Sequence, residues 1–143
     1  MKVGLVCSAF DLLHAGHVLM LKDAKAHCDV LVAGLQVDPS ITPASYRGKK
    51  KESPILSLAE RRTILEGIKY VDKIFEYDTE ENLLEIIKNF GPHIRILGSD
   101  WRDKHATGEE FAESVYYHER AHDYSTTDIK RRVLERESAI AEQ

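Results

Sequence analysis

Cysteine is scarce in this chain, and the shortage narrows what the protein can be. Only Cys7 and Cys28 occur among 143 residues, in apolar or helical contexts and without metal-ligand spacing, which points to a reducing compartment. No apolar run approaches the roughly 20 residues that a membrane-spanning helix needs. The opening MKVGLVCSAF turns polar at Asp11, too early for a signal-peptide core. A soluble, cytoplasmic protein with no membrane partner is expected. An excess of positive charge is also missing. The formal net charge is −4, which argues against a nucleic-acid partner and requires local groups to hold any anionic substrate. Repeats and low-complexity tracts are absent.

What remains is 43% hydrophobic and 31% charged, ordinary values for one domain with its own core. Residues 3–7 form a short apolar run that reads as a strand buried on both faces. Val18, Leu21 and Ala24 follow at helical spacing within 14–27, and 29–35 reads as a second buried strand. The opening is therefore a βαβ unit, which implies a parallel sheet and a right-handed crossover. Residues 38–54 hold three of the four prolines and a basic run, and read as a long loop of the kind that is usually functional or mobile. Helices are expected at 58–68, from Thr79 to a stop at Gly91-Pro92, and from Ser125 or Thr126 to about 140. Strands are expected at 71–77, 94–97 and 114–118. This alternation predicts a single Rossmann-like, doubly wound α/β domain over 1–134 with a mostly parallel five-stranded sheet, followed by a helical tail at 135–143.

The chemistry concentrates in the string Ser8-Ala9-Phe10-Asp11-Leu12-Leu13-His14-Ala15-Gly16-His17, between the first strand and the first helix. That turn offers backbone N–H groups and a helix N-terminus to phosphate. His14 and His17, three apart, face one ligand, and Gly16 lets it approach the backbone. Imidazole N–H donors with positive character would stabilise charge building on a phosphoryl group and on leaving pyrophosphate. A bare His-x-x-His is equally a metal pair or two surface residues; its place at a strand-to-helix turn favours the phosphate site. Further along, Ser125 and Thr126 at a helix start make a second anion site, and Arg120 carries a fork for phosphate oxygens. Arg47-Gly48-Lys49-Lys50-Lys51 is a basic run that could be a solvated face or a lid over a polyanion.

The ten-residue string closely resembles the Gly-x-Phe-Asp-x-x-His-x-Gly-His box of the cytidylyltransferase family. Three more stretches fall on family segments in order: Arg61 with Ile64-Leu65-Glu66 and Tyr70-Val71-Asp72, then Leu97-Gly98-Ser99-Asp100-Trp101, then Arg120 through Thr127. The chain looks most like the small glycerol-3-phosphate cytidylyltransferases. The resemblance implies that His14, His17 and Arg120 are catalytic, and that Ala9, Phe10, Gly16, Lys51, Asp100, Ser125 and Thr126 join them around the nucleotide. It places Asp11, Asp38, Lys50 and Arg61 toward the acceptor. Read locally, Asp11 fixes the phosphate loop and Asp38 turns the chain. It further implies CTP, a small phosphorylated acceptor, Mg²⁺ carried mainly by phosphates, and a homodimer. The expected reaction transfers CMP from CTP to glycerol 3-phosphate with release of pyrophosphate. The alternatives are an ATP-using adenylyltransferase, another acceptor (phosphoethanolamine, a sugar phosphate or FMN), or a non-catalytic nucleotide-binding domain. Ser8-Ala9 replaces the family's Gly-Thr and Ala121-His122-Asp123 its Thr-Glu-Gly; both departures bear on the acceptor.

Overall fold

Val3–Ser8 forms β1, whose central residues are buried from both sides as its apolar sequence requires. The computed structural model describes residues 1–43 and 51–143. Helix α1 covers Ala15–Ala26 and strand β2 Val30–Gln36, completing the expected βαβ unit. A single 3₁₀ turn at Pro39–Ile41 follows; the rest of the basic run's Arg47, Lys49 and Lys50 lies outside the described residues. Helix α2 spans Leu58–Glu66, begun by a reciprocal cap between Ser57 and Glu60. Strand β3 is Lys73–Tyr77, and helix α3 Glu80–Phe90 runs from a Thr79 cap to Gly91, whose φ of 62° ends it in the left-handed region. Strands β4 (Ile94–Gly98) and β5 (Ser114–His118) lead to α4, Thr126–Ala141.

The five strands lie in the order β3-β2-β1-β4-β5, every pair parallel, so the sheet is wholly parallel rather than mostly so. Alternation along β2 divides the core. Leu31, Ala33 and Leu35 join Leu21 and Ala24 of α1 and Leu65 of α2 on one face. Val32 joins Leu83 and Ile87 of α3 on the other. Strand β3 starts two residues later than its apolar pattern suggests. Val71 packs on the α1–α2 face, and the Asp72 carboxylate accepts the Leu31 N–H at 2.8 Å, with Lys25 Nζ 2.5 Å away. Helix α4 continues through the expected boundary at 134, so the tail is part of that helix, with Val133, Leu134 and Ile140 exposed.

Chain direction across the sheet reverses between β1 and β4, the point where open parallel sheets take their ligands. These strands pair only at Gly4–Ile94 and Leu5–Arg95, whereas β1 and β2 pair over six positions. Their carboxyl ends part, and the crevice opens there.

Candidate active site

A cavity of about 470 Å³ fills this crevice. Its floor is the start of α1. His14 is the N-cap: its Nδ1 accepts the Gly16 backbone N–H at 3.0 Å, while Nδ1 of His17 accepts the His14 N–H at 3.1 Å. The two imidazoles thus form a reciprocal capping box, a task usually given to a hydroxyl and a carboxylate. A nitrogen accepting a backbone N–H uses its lone pair, so both neutral rings carry their proton on Nε2. Their centroids are 4.0 Å apart, and both rings line the cavity. The first turn of α1 holds no acidic residue, which leaves its positive dipole end for an incoming anion.

Burial pushes His17 down to about 4, with His14 and Arg120 acting the same way against a raising effect of Asp11. His14 is lowered too, by burial first and then by Arg120 and His122. Both rings of the protein itself are therefore uncharged donors at neutral pH, because a second proton would have to displace a backbone hydrogen bond at Nδ1. The unfolded chain takes up a His17 proton near pH 6.5 and the folded chain only near 4. Stability is therefore fully present above about 6.5 and falls as the pH drops toward 4, by about 3 kcal/mol for His17 alone. Thermal melts across pH 7 to 4 should show this loss, and a stability independent of pH in that window would contradict it.

Gly16 has a different neighbour from the one its sequence position suggests. A Cβ there would lie 2.8 Å from His14 Cε1 and 2.9 Å from His122 Cε1, so the missing side chain makes room for two protein rings. Gly16→Ala is expected to displace the His14 ring and cut turnover at least tenfold while melting within a few degrees of wild type. Unchanged turnover would show that the ring position is not critical.

The facing wall comes from the start of α4. Ser125 is the cap: its Oγ accepts the Asp128 N–H at 3.0 Å, while Thr126 occupies the first helical position at the cavity. Arg120 also lines the cavity and donates from Nη2 to the Tyr124 carbonyl. Asp100, in a 3₁₀ turn after β4, forms the third side; its Oδ1 lies 2.6 Å from where a Gly98 Cβ would be. His14, Gly16, His17, Asp100, Arg120, Ser125 and Thr126 are thus brought together from three separate sequence segments.

The other predicted site residues that the structure describes do not line this cavity. Ala9 and Phe10 do not line it. The Ala9 carbonyl accepts from Arg61, and the Phe10 ring is 1% exposed, held at a left-handed φ of 51°. Arg61 was placed toward the acceptor, yet it is 2% exposed. Its guanidinium donates to the carbonyls of Leu56, Ala9, Gln36 and Val37 at 2.6–3.1 Å. Burial lowers its pKa, and the charges of Asp11 and Asp38 oppose that shift. Asp11 accepts the N–H groups of Ile55 and Leu56, and Asp38 accepts from Ser40 to start the 3₁₀ turn. These groups tie the β1–α1 loop to β2 and α2, a positioning role. Ser8 contributes as well, its hydroxyl accepting the Phe10 N–H. Lys51 is exposed and outside the cavity lining; Lys50 lies outside the described residues.

Two cavity histidines carried no assignment from the sequence. His122 stood only as a departure from the family box; it packs over Gly16, and its Nδ1 accepts the Tyr124 N–H at 3.0 Å. His118 gave no signal at all. It ends β5, and its Nδ1 lies 2.7 Å from Asp23 Oδ2 on α1, the same oxygen that accepts the Tyr116 hydroxyl at 2.9 Å. Burial pushes the Asp23 carboxyl up, but the hydrogen bonds from His118 and Tyr116 outweigh it and bring it below the usual range. Only the packing of β5 beside α1 joins residues 95 apart.

Among the described residues no group of three or more histidine, cysteine, aspartate and glutamate side chains is placed to hold a metal ion. Asp100 is the carboxylate of the described cavity lining. A single carboxylate in the described lining fits a cation that would be carried mainly by phosphates, with Asp100 as its protein neighbour.

The sequence profile described as "Cytidylyltransferase-like" matches residues 5–132. The chain is 32% identical over 136 residues to the bifunctional protein HldE of Aliarcobacter butzleri, and 37% identical over 130 residues to that of Helicobacter pylori. These alignments cover 95% and 90% of the chain but 28% and 27% of the relatives, so it spans under a third of their length. A lipopolysaccharide core biosynthesis protein from Thermoplasma volcanium superposes with a TM-score of 0.62 at 23% identity, covering 87% of this chain and 99% of that one. A pantoate-beta-alanine ligase from Francisella tularensis, complexed with beta-gamma ATP and beta-alanine, gives 0.53 at 16% identity, covering 90% and 67%. These two likenesses show a shared fold.

Proposed function

The chain belongs to the cytidylyltransferase-like family of nucleotidyltransferases, and from that premise we propose that it transfers AMP from ATP to a phosphorylated sugar, releasing pyrophosphate. The observation that carries this reading is the pair of neutral Nε2–H donors of His14 and His17 in a cavity between two helix N-termini. ATP is favoured over CTP because the same fold in the pantoate-beta-alanine ligase is complexed with beta-gamma ATP. A sugar phosphate is favoured over glycerol 3-phosphate because a lipopolysaccharide core biosynthesis protein shares the fold over nearly its whole length.

In the proposed reaction a phosphate oxygen of the acceptor attacks the α-phosphorus in line. The new P–O bond forms as the bond to pyrophosphate breaks. No general base is needed, since the attacking oxygen is already anionic. His14 and His17 donate to oxygens of the reacting phosphoryl group, where negative charge grows. Arg120 and the first N–H groups of α4 receive the departing pyrophosphate. Mg²⁺ would neutralise phosphate charge, entering with the nucleotide near Asp100. The fixed positions of α1 and α4 convert encounter into orientation, the larger part of catalysis in such transfers.

Pyrophosphate release from ATP, and separately CTP, with sugar 1-phosphates and glycerol 3-phosphate tests the reading. Turnover with ATP and a sugar phosphate is expected. Turnover with CTP and glycerol 3-phosphate would instead restore the narrower reading drawn from the sequence motifs. A failure to bind either nucleotide would overturn both.

A further inference from the structure

His118 brings a buried, unpartnered ring nitrogen to the cavity wall. Its Nε2 is buried and has no hydrogen-bond partner among the described residues, while the ring itself lines the cavity. The other ring nitrogen faces the Asp23 carboxylate, which can only accept, so in the neutral ring Nδ1 carries the proton and Nε2 is left as a lone pair. Tyr116 donates to the same carboxylate oxygen and holds it in place, and His27 stacks on Tyr116 with centroids 3.8 Å apart. Three side chains thus fix one tautomer of one ring. A buried acceptor without a partner is costly, and here the cost falls at the wall of a ligand cavity.

A lone pair repels phosphate oxygens, and the phosphate donors are elsewhere, at the starts of α1 and α4 and on Arg120. The group that meets Nε2 must therefore be a donor. His118 pairs in register with Gly98, which places it on the strand beside the turn that carries Asp100, another acceptor. Met20 adds apolar surface to the same lining. Acceptors beside apolar surface suit the edge of a heterocyclic base bearing an amine.

We propose that His118 reads the nucleotide base, accepting a hydrogen bond from the exocyclic amine of adenine or cytosine and so discriminating against the oxo bases. This rests on the nucleotidyltransferase reading of the site and adds a specificity residue to it. Asp23 and Tyr116 act through His118 as positioning residues. Were the ring free to change tautomer, Nε2–H would serve an oxo base equally well; the carboxylate prevents this.

The test compares kcat/KM for ATP against ITP and for CTP against UTP, each pair exchanging an amine donor for an oxo acceptor. In the wild type, the amino nucleotide should be preferred about 10- to 100-fold in the pair the enzyme uses. In His118→Leu the ratio should fall to within about threefold, because the amino nucleotide loses ground while the oxo nucleotide holds or gains. Asp23→Asn should shrink the ratio as well, since an amide supports either tautomer. His118→Phe, which keeps ring volume without an acceptor, takes the place of the leucine variant if that variant does not fold. A ratio unchanged in these variants, or an equal loss with both members of a pair, would overturn the proposal, the latter assigning His118 to packing or to a ribose hydroxyl. If the wild type binds nucleotide without turnover, the transfer reading fails, and the same ratios taken from calorimetric Kd values still decide the role of His118. If it binds none, both readings fall.

Discussion

His17→Ala lowers pyrophosphate release by about 10²- to 10³-fold, the loss expected when one preorganised donor is removed from a site where charge develops. His14→Ala should act similarly, and the double variant should cost less than the product of the two, because the rings position each other through the reciprocal cap. The cap is a separate contribution, worth about 1 kcal/mol of stability, so either variant should melt only a few degrees lower. His17→Gln separates the two roles. Glutamine at the third helical position can still accept the N-cap N–H, so stability should return, while the Nε2–H donor stays lost and the rate stays low. A His17→Ala enzyme with near-normal kcat would remove the histidine pair from the mechanism. A rate loss that simply tracked a fall in Tm would assign the pair to folding instead.

Arg61→Ala should lower stability by about 3–5 kcal/mol, and with it Tm by roughly 10 °C or more, the largest effect expected from any single substitution outside the cavity. The guanidinium serves four carbonyls from three places in the chain, the phosphate loop, the end of β2 and the turn before α2. Removing it takes the side-chain donor from those carbonyls, in a buried contact at Gln36 and partly buried ones elsewhere, and opens a void the size of a long side chain. Arg61→Lys should recover little, because a single ammonium cannot span four acceptors held by a planar fork. The measurement is a thermal melt beside acceptor KM. An Arg61→Lys enzyme that melts like wild type but shows a raised acceptor KM would return Arg61 to the substrate, where the sequence motif had put it.

Much of the fold was readable from local pattern. The apolar runs of β1 and β2 needed only hydrophobicity and length. Gly91 after Phe90 and Ser125 before Thr126 announced a helix end and a helix start through their own backbone and hydroxyl chemistry. The start of β3 was misplaced because Val71 is apolar for a reason other than pairing: it packs against the α1–α2 face. The phosphate-loop histidines were legible as a pair, but their charge was not. Whether imidazole at that turn is neutral depends on which backbone N–H groups aim at Nδ1 and on how deeply the rings sit.

By itself the sequence determined the α/β alternation, the strand-to-helix turn bearing His14 and His17, and the helix start at Ser125 and Thr126. Each follows from residues close together in the chain, where spacing and propensity act directly. The tertiary structure alone decided that Arg61 and Asp11 hold the β1–α1 loop from behind, and that His118, held by Asp23, stands at the cavity wall. Those roles depend on partners 52, 44 and 95 residues away, which meet only when parallel strands register and α1 crosses to lie beside β5.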